Sequence, residues 1–381
     1  MEMRKRIALC AVCLSLLFLL CGCWNYRGLN ELAIVSGIAI DRNPENGNYK
    51  LSFELVDLQN VQQSGPKAKL VEAEGKTLFD AARNAKMRME RKAYFGNAQI
   101  VVISSEIAKS GQVGMIIDWF LRDAEIRETV NLVVSQEDSA SAILKIQGIN
   151  NAIVSYEIYD IVSEDNAATS STSGIKLYQV FNTLRAKGLS LTLPAIHNTI
   201  NDEKPASEIN GIAVFGGGSM LGYLTPEESK YFLFIMDEVK GGILSISSTE
   251  EEKEDTSLEI SENKTSMSFS TEGGKLKVTV SSKTKVFLAE ISKPFDSLDE
   301  GSIESLEHIA GVMVKKKIEE VIRKVQTEYG SDIFGFGNMI YKRDFRLWNK
   351  LAASWDSIFP TLEVDVEAEV KIVNTAYIKK T

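Results

Sequence analysis

Residues 32–41, LAIVSGIAID, are followed by the turn sequence RNPENGN and then by YKLSFELVDL (49–58). Both flanking stretches are rich in apolar and β-branched residues, which is typical of strands. Asn43-Pro44 and Asn46-Gly47 are strong turn signals between them. The opening of the folded region is therefore predicted to be two strands joined by a short turn.

The pattern continues with helices and strands in alternation. Thr77 with Asp80 resembles a capping pair that opens a helix ending near Glu90. Further strands are predicted at 97–104 and 129–135, and further helices at 113–123, 151–163 and 176–187. Because hairpin signals are frequent, mixed sheets are favoured over one parallel sheet. The predicted class is α+β, with largely antiparallel or mixed sheets flanked by helices.

A polar stretch, NDEKPASE (201–208), separates two such patterns. We interpret 201–210 as a linker, 23–200 as an N-terminal region of two mixed α/β subdomains, and 211–375 as a C-terminal α+β domain. Beyond the linker, a long amphipathic helix is predicted near 303–328, with apolar residues at i, i+3 and i+4 spacing.

The first 22 residues have the layout of a bacterial lipoprotein signal peptide. Arg4, Lys5 and Arg6 precede an uncharged run at 7–21, which is short for a bilayer-spanning helix of ~20 residues. Leu20-Cys21-Gly22-Cys23 then matches a lipobox, in which a small residue precedes the acylated cysteine. We expect cleavage after residue 22 and a diacylglyceryl group on Cys23; the alternative is an uncleaved N-terminal anchor.

All four cysteines, at 10, 13, 21 and 23, lie in the first 23 residues, and the only histidines are His197 and His308. After cleavage, the one remaining thiol would be consumed by the lipid. This excludes disulfides and cysteine-based metal sites and leaves little material for a histidine site, so no cofactor is expected. Cleavage also changes the net charge from −9 to −11, which does not favour nucleic-acid binding.

An acidic row occurs near the C-terminus, at Glu363, Asp365, Glu367 and Glu369. Paired carboxylates can act as acid and base or hold calcium. Residues two apart on a strand also form one solvated face. The second interpretation is favoured, and no catalytic or metal site is predicted.

The loop 329–343, YGSDIFGFGNMIYKR, mixes polar, glycine and aromatic residues directly after the long helix. Gly330 suits a helix C-terminus, and Gly335 would let the backbone turn tightly around Phe334 and Phe336. Two alternatives remain open here. The loop either packs to close the domain, or it faces a partner, because such mixtures are also common at interfaces.

Four segments together resemble the Ger(x)C family, the lipoprotein C subunits of spore germinant receptors. They are GCWNYRGLNELAIVSGIAID (22–41), FLRDAEIRETVNLVVS (120–135), GIAVFGGGSMLGYLTPEESKYFLF (211–234) and YGSDIFGFGNMIYKRDFRLWNKLAASWDSIFPTLEVDVEAEVKI (329–372). The resemblance spans nearly the whole chain in order. Asn25 and Gly28 depart from the residues usual in the family, Asp and Glu.

The resemblance implies three mixed α/β domains, no enzymatic activity, and assembly with two integral-membrane subunits. It places the protein on the outer face of the spore inner membrane, attached through the diacylglyceryl cysteine; direct nutrient binding by this chain is not expected. Cys23 maps to the lipid-bearing position. The candidate interaction residues lie in the motif after the lipobox and in the C-terminal signature: Trp24, Arg27, Asn30, Glu31, Asp332, Phe334, Gly335 and Phe336.

Two rival functions follow from the residues. A lipid-anchored solute-binding protein of a transporter would bind the nutrient itself, in a cleft between domains. A wall-lytic hydrolase would use the acidic row at 363–369.

Overall fold

The fold was obtained as a computed structural model of the full chain. It describes residues 1–7, 28, 31–57, 65–122, 125–146, 148–149, 152–247, 256–291 and 299–374. The predicted signal peptide beyond residue 7 and the lipidation site Cys23 lie outside this part of the chain.

The first sheet is mixed and contains nine strands, ordered β3-β2-β1-β5-β6-β7-β8-β9, with β4 paired to β1. Its strands are β1 (Leu32–Arg42), β2 (Tyr49–Asp57), β3 (Lys67–Gly75), β4 (Lys92–Tyr94), β5 (Ile100–Ser104), β6 (Asn131–Ser135), β7 (Thr192–Asn201), β8 (Lys204–Gly216) and β9 (Ser219–Leu224). β1 and β2 pair antiparallel, which confirms the predicted opening hairpin. The centre, β1-β5-β6-β7, is parallel.

Helices cover both faces of this sheet: α1 (Leu78–Ala85), α2 (Ser105–Lys109), α3 (Val113–Arg122), α4 (Ala140–Leu144), α5 (Val154–Ala168) and α6 (Leu177–Arg185). Alternation along β5 shows why both faces are buried. Val101 and Ile103 join the core under α1, α3 and α6. Ile100 and Val102 join a second core under α4 and α5.

The predicted linker 201–210 is instead a hairpin of the first sheet. Asn201 pairs with Lys204 across a two-residue turn, and β8 continues in register with β7. Asp202 and Glu203 both have positive φ, 48° and 61°, as a type I′ turn requires. Polar residues are tolerated there because the hairpin end is exposed. The sheet therefore runs without interruption through the stretch that resembled a linker.

The second sheet is also mixed and contains β10 (Ile243–Ile246), β11 (Thr256–Glu272), β12 (Lys275–Ile291) and β13 (Glu363–Asn374), in that order. β11 and β12 form a long antiparallel hairpin, and β13 runs parallel to β12. Together the two sheets and their helices confirm the predicted α+β class with mixed sheets. The division of 23–200 into two subdomains stays a prediction.

We call the first sheet with α1–α6 the N-terminal half, and the second sheet with the helices that follow β9 the C-terminal half. The helices of the C-terminal half are α7 (Pro226–Ile235), α8 (Glu300–Lys324), α9 (Phe336–Arg343), α10 (Phe345–Leu351) and α11 (Trp355–Ile358). α8 confirms the predicted long helix, and a π turn at Val325–Tyr329 continues it. Its apolar stripe, including Ala310, Val314 and Ile318, is buried in the core of the second sheet. Gly330 ends it in the left-handed conformation, as predicted.

Candidate functional site

The signature residue Asp332 is buried at the start of α9. Its side chain is 4% exposed. Oδ1 accepts the backbone N–H groups of Gly335 (2.8 Å) and Phe336 (3.2 Å). Oδ2 accepts the N–H of Gly337 (2.8 Å) and the indole Nε1–H of Trp355 (3.1 Å). Four donors thus converge on one carboxylate, which satisfies N–H groups that a helix start would otherwise leave unpaired.

The aromatic residues of the signature pack around this carboxylate. Phe334 and Phe336 are stacked, with ring centroids 5.3 Å apart, and both lie against Phe359. Phe334 also contacts Phe232 of α7. Gly335 has φ 73°, in the left-handed region, which glycine adopts readily because it has no Cβ. The tight turn around aromatic side chains is therefore as predicted.

The partner-facing alternative for Asp332, Phe334, Gly335 and Phe336 does not fit this geometry. All four residues are buried by the chain itself. Their side chains and backbone contact other parts of the same protein, so no surface is left for a partner to touch. The mixture of polar and aromatic residues that resembled an interface is explained by a buried carboxylate and the rings around it.

The same loop also contacts β8 and the segment that leads into β7. The Asp332 carbonyl accepts the N–H of Ser190 (2.8 Å), and the Ser331 hydroxyl donates to the carbonyl of Phe215 (2.8 Å). Asn338 donates its backbone N–H to the carbonyl of Gly188 (2.8 Å). A Cβ on Gly188 would lie 2.6 Å from the backbone of Gly337, so the two chains touch directly. The signature therefore fastens the two halves of the protein together.

Burial also affects protonation of the signature carboxyl. Desolvation raises the pKa of Asp332 to about 6, while the four hydrogen bonds oppose the rise. A folded-state pKa above the unfolded value of 3.8 means that the native state retains its proton between these two pH values while the unfolded state has released it. This contribution to stability is therefore present at low pH and is lost as the pH rises through about 6.

We expect the free energy of unfolding to contain a component that falls by up to about 3 kcal/mol between pH 4 and pH 6.5. Asp332→Asn, which cannot ionise, should lack that component. Denaturant titrations of both proteins across this range would measure it. Parallel pH profiles for the two proteins would contradict the raised pKa.

Two further buried carboxylates accept N–H groups at the starts of helices that pack on the first sheet. Neither was predicted from the sequence. Asp41 accepts the N–H groups of Ala140 (2.6 Å) and Ser141 (3.0 Å) at the start of α4, and burial raises its pKa. Glu54 is 1% exposed and accepts the N–H groups of Val154 (2.8 Å) and Ser155 (3.1 Å) at the start of α5.

Two hydroxyl groups also donate hydrogen bonds to the Glu54 carboxylate. The Ser36 hydroxyl donates to Oε2 at 2.8 Å, and the Ser155 hydroxyl donates to the same oxygen. No signal in the sequence identifies these partners, because they lie 18 and 101 positions away. Glu54, like Asp332, therefore has a structural role that depends on distant segments.

A cavity of about 680 Å³ lies where the two halves meet. Its wall includes Tyr159 and Ser163 of α5, Leu193 of β7, and Glu238 and Lys240 after α7. Burial raises the pKa of Glu238, opposed by a hydrogen bond from Ser173 and by Lys240. A solute-binding protein, the first rival function, would bind its solute in a cleft of this kind.

The residues predicted after the lipobox are only partly described. Glu31 is exposed just before β1. Cys23, Trp24, Arg27 and Asn30 lie outside the described residues. Within the described ranges, every helix is too short or too polar to cross a bilayer.

The acidic row lies on β13 and faces lysines of β12. Lys277 bridges Glu363 (3.3 Å) and Asp365 (2.6 Å), and Lys283 lies 3.8 Å from Glu369. These carboxylates are about half exposed. The geometry is that of a solvated face with cross-strand ion pairs, each worth ~1 kcal/mol or less.

Replacing Asp365 with Asn and Glu367 with Gln should accordingly leave the thermal midpoint nearly unchanged, and with it the germination role that the resemblance implies. Germination of spores that carry this double variant is the measurement. A germination defect at normal protein level would instead support the hydrolase.

Comparisons with known proteins match the chain from end to end. Residues 25–198 match the model "Spore germination protein N-terminal domain", and residues 210–376 match "Spore germination B3/GerAC like, C-terminal". Spore germination protein KC of Bacillus subtilis is 26% identical, with 98% of this chain and 97% of that protein covered. Spore germination protein B3 of the same organism is 24% identical, with coverages of 97% and 98%.

The crystal structure of the GerBC protein has the same fold. The TM-score is 0.57 at 20% identity, over 89% of this chain and 97% of that one. Both family models and a fold neighbour thus agree with the resemblance of the four sequence segments. The chain belongs to the Ger(x)C family of spore germination proteins.

Proposed function

We propose that this protein is the lipid-anchored C subunit of a nutrient germinant receptor, and that it is needed for assembly and signalling of the receptor. The observation that carries the proposal is the match to relatives named as spore germination proteins over 97% or more of the chain. Its partners would be the two integral-membrane subunits, and its place the outer face of the spore inner membrane. No enzymatic step is assigned to it.

Attachment through Cys23 is the part of this proposal that is most directly testable. A diacylglyceryl group contributes two acyl chains, which is enough for stable anchoring. Cys23→Ala should release the protein from spore inner membranes or leave it unprocessed. Cys21→Ala, two residues earlier, is the matched control and should leave processing intact. A Cys23→Ala protein that is cleaved normally and stays membrane-bound would contradict the proposal.

The receptor role has a separate test. Deleting the C subunit should deplete the two integral-membrane subunits of the same receptor and abolish the response to its nutrient. Restoring the wild-type chain should recover both. Normal partner levels and a normal nutrient response in the deletion strain would argue against the role.

The cavity between the halves favours a second candidate, direct solute binding. Its volume is large enough for a small polar molecule, and its lining includes tyrosine, carboxylate and ammonium groups. Calorimetry with amino acids and sugars would detect such binding. Ser163→Trp would place a large ring at the exposed edge of the cavity. Micromolar binding that this variant abolishes would support the second candidate, and absence of heat with wild type would exclude it for the solutes tested.

A further inference from the structure

The corner between α9 and α10, residues 341–350, is a basic and aromatic surface on an acidic protein. Its sequence, YKRDFRLWNK, carries a net charge of +3, whereas the whole chain carries −9. The four cations Lys342, Arg343, Arg346 and Lys350 are all exposed. We call residues 341–350 the basic corner.

Two aromatic rings project from the basic corner. Phe345 is 58% exposed and Tyr341 is 37% exposed, with their ring centroids 5.8 Å apart. Exposed rings that lie side by side form a larger apolar patch than a single exposed ring, and such patches are common at contact surfaces. The pair is anchored to the core. Tyr341 packs against the buried ring of Trp348, which in turn packs on Trp355.

The cations of the basic corner are available to an external anion. Arg343 donates to the carbonyl of Met267 (2.7 Å). Among the described residues, none of the four cations forms an ion pair with a carboxylate; the only acid of the corner, Asp344, accepts the N–H of Leu347 at the start of α10 (2.9 Å). On β12, by contrast, Lys277, Lys283 and Lys285 all pair with acids.

We propose that the basic corner docks on the anionic headgroups of the bilayer, with Phe345 and Tyr341 entering the interfacial layer. The proposal rests on the membrane attachment proposed above. Aromatic rings favour the headgroup level, and each basic residue near an anionic surface adds about 1 kcal/mol, or roughly a fivefold factor in affinity. The cavity between the two halves includes no residue of the basic corner, so the corner is not part of that candidate solute site.

The charge of the rest of the protein makes this contact directional. Because the chain outside the corner has a net negative charge, an anionic bilayer repels it as a whole and attracts the basic corner. The corner would then fix which side of the C-terminal half faces the membrane. Anchoring strength would still come from the lipid on Cys23.

Hydrogen exchange of the processed, reconstituted protein tests the proposal. We expect the amides of 341–350 to exchange at least about fivefold more slowly in vesicles that contain phosphatidylglycerol than in phosphatidylcholine alone. Added salt should abolish the difference. Arg346→Glu/Lys350→Glu should remove the protection. Lys109→Glu/Lys316→Glu, which makes the same charge change at exposed positions of α2 and α8, should keep it.

Equal exchange in the two lipid compositions would overturn the proposal. So would protection that appears only in membranes containing the partner subunits, since that outcome identifies a protein as the occupant. Failure of the lipid anchor is recognised separately: the protein would then lack the diacyl mass and would not float with either kind of vesicle.

Discussion

Replacing Asp332 with alanine is expected to lower the free energy of unfolding by about 3–5 kcal/mol. The substitution removes the acceptor of three backbone N–H groups and one indole N–H, all in a buried site. Each buried donor left without a partner costs about 1–3 kcal/mol. Part of this cost is offset by water entering the space and by removal of the desolvation penalty that raises the pKa of Asp332. Because the loop also connects the two halves, the substitution should lower the stability of both. Denaturant unfolding at pH 7 measures the effect.

Asp344→Ala is the matched control for this prediction. Asp344 also caps a helix, α10, but it is exposed and accepts one N–H, from Leu347. Its loss should cost about 1 kcal/mol. If the two variants lose similar stability, the convergence of four donors on Asp332 does not have the energetic importance assigned to it. A stable Asp332→Ala protein with depleted partner subunits in spores would restore the partner-facing interpretation.

Glu54→Ala is expected to cost a similar 3–5 kcal/mol. Glu54 lies in the interior of the first sheet, where it satisfies the first two N–H groups of α5 and the hydroxyls of Ser36 and Ser155. Alanine would leave these two N–H groups and two hydroxyls in a buried space without an acceptor. Thermal and denaturant unfolding should both report the loss.

Glu72→Ala on the neighbouring strand controls for removal of a glutamate from this sheet. Glu72 is 29% exposed and pairs with Lys50 (3.0 Å) and Lys145 (2.9 Å). Partly exposed ion pairs contribute about 1 kcal/mol or less, so this variant should remain close to wild type. Equal losses in the two variants would show that burial and helix capping do not distinguish Glu54.

The local pattern of the sequence was sufficient for most of the secondary structure. The turn signals at 42–48 predicted the first hairpin, and the apolar spacing after residue 303 predicted α8. The polar stretch 201–210 was interpreted as a linker because an exposed hairpin end and a linker have the same polar composition. The difference between them is the pairing of β8 with β7, which depends on strand register rather than on residue type.

Glu54 shows the same limit at a single residue. Alternation in YKLSFELVD places Leu51 and Phe53 on one face and Glu54 on the other, and the local pattern does not indicate what covers that second face. In the structure α5 covers that second face, so the carboxylate is buried at the start of a helix 100 positions away. The signature loop is comparable. Its glycine turn was predictable, whereas the hydrogen bonds of Asp332 to Trp355 and Ser190 depend on residues from elsewhere in the chain.

The sequence by itself determined the family, the order of helices and strands, and the turns, because these depend on neighbouring residues and their spacing. Only the tertiary structure decided that the predicted linker belongs to a sheet, that the signature loop fastens two halves, and that three buried carboxylates lie at helix starts. For Asp41 and Glu54 those helices begin about 100 positions away. The physical reason is that a buried carboxylate is tolerated only where donors converge on it. The fold brings those donors to Asp41 and Glu54 from distant segments, and it brings the indole of Trp355 to Asp332.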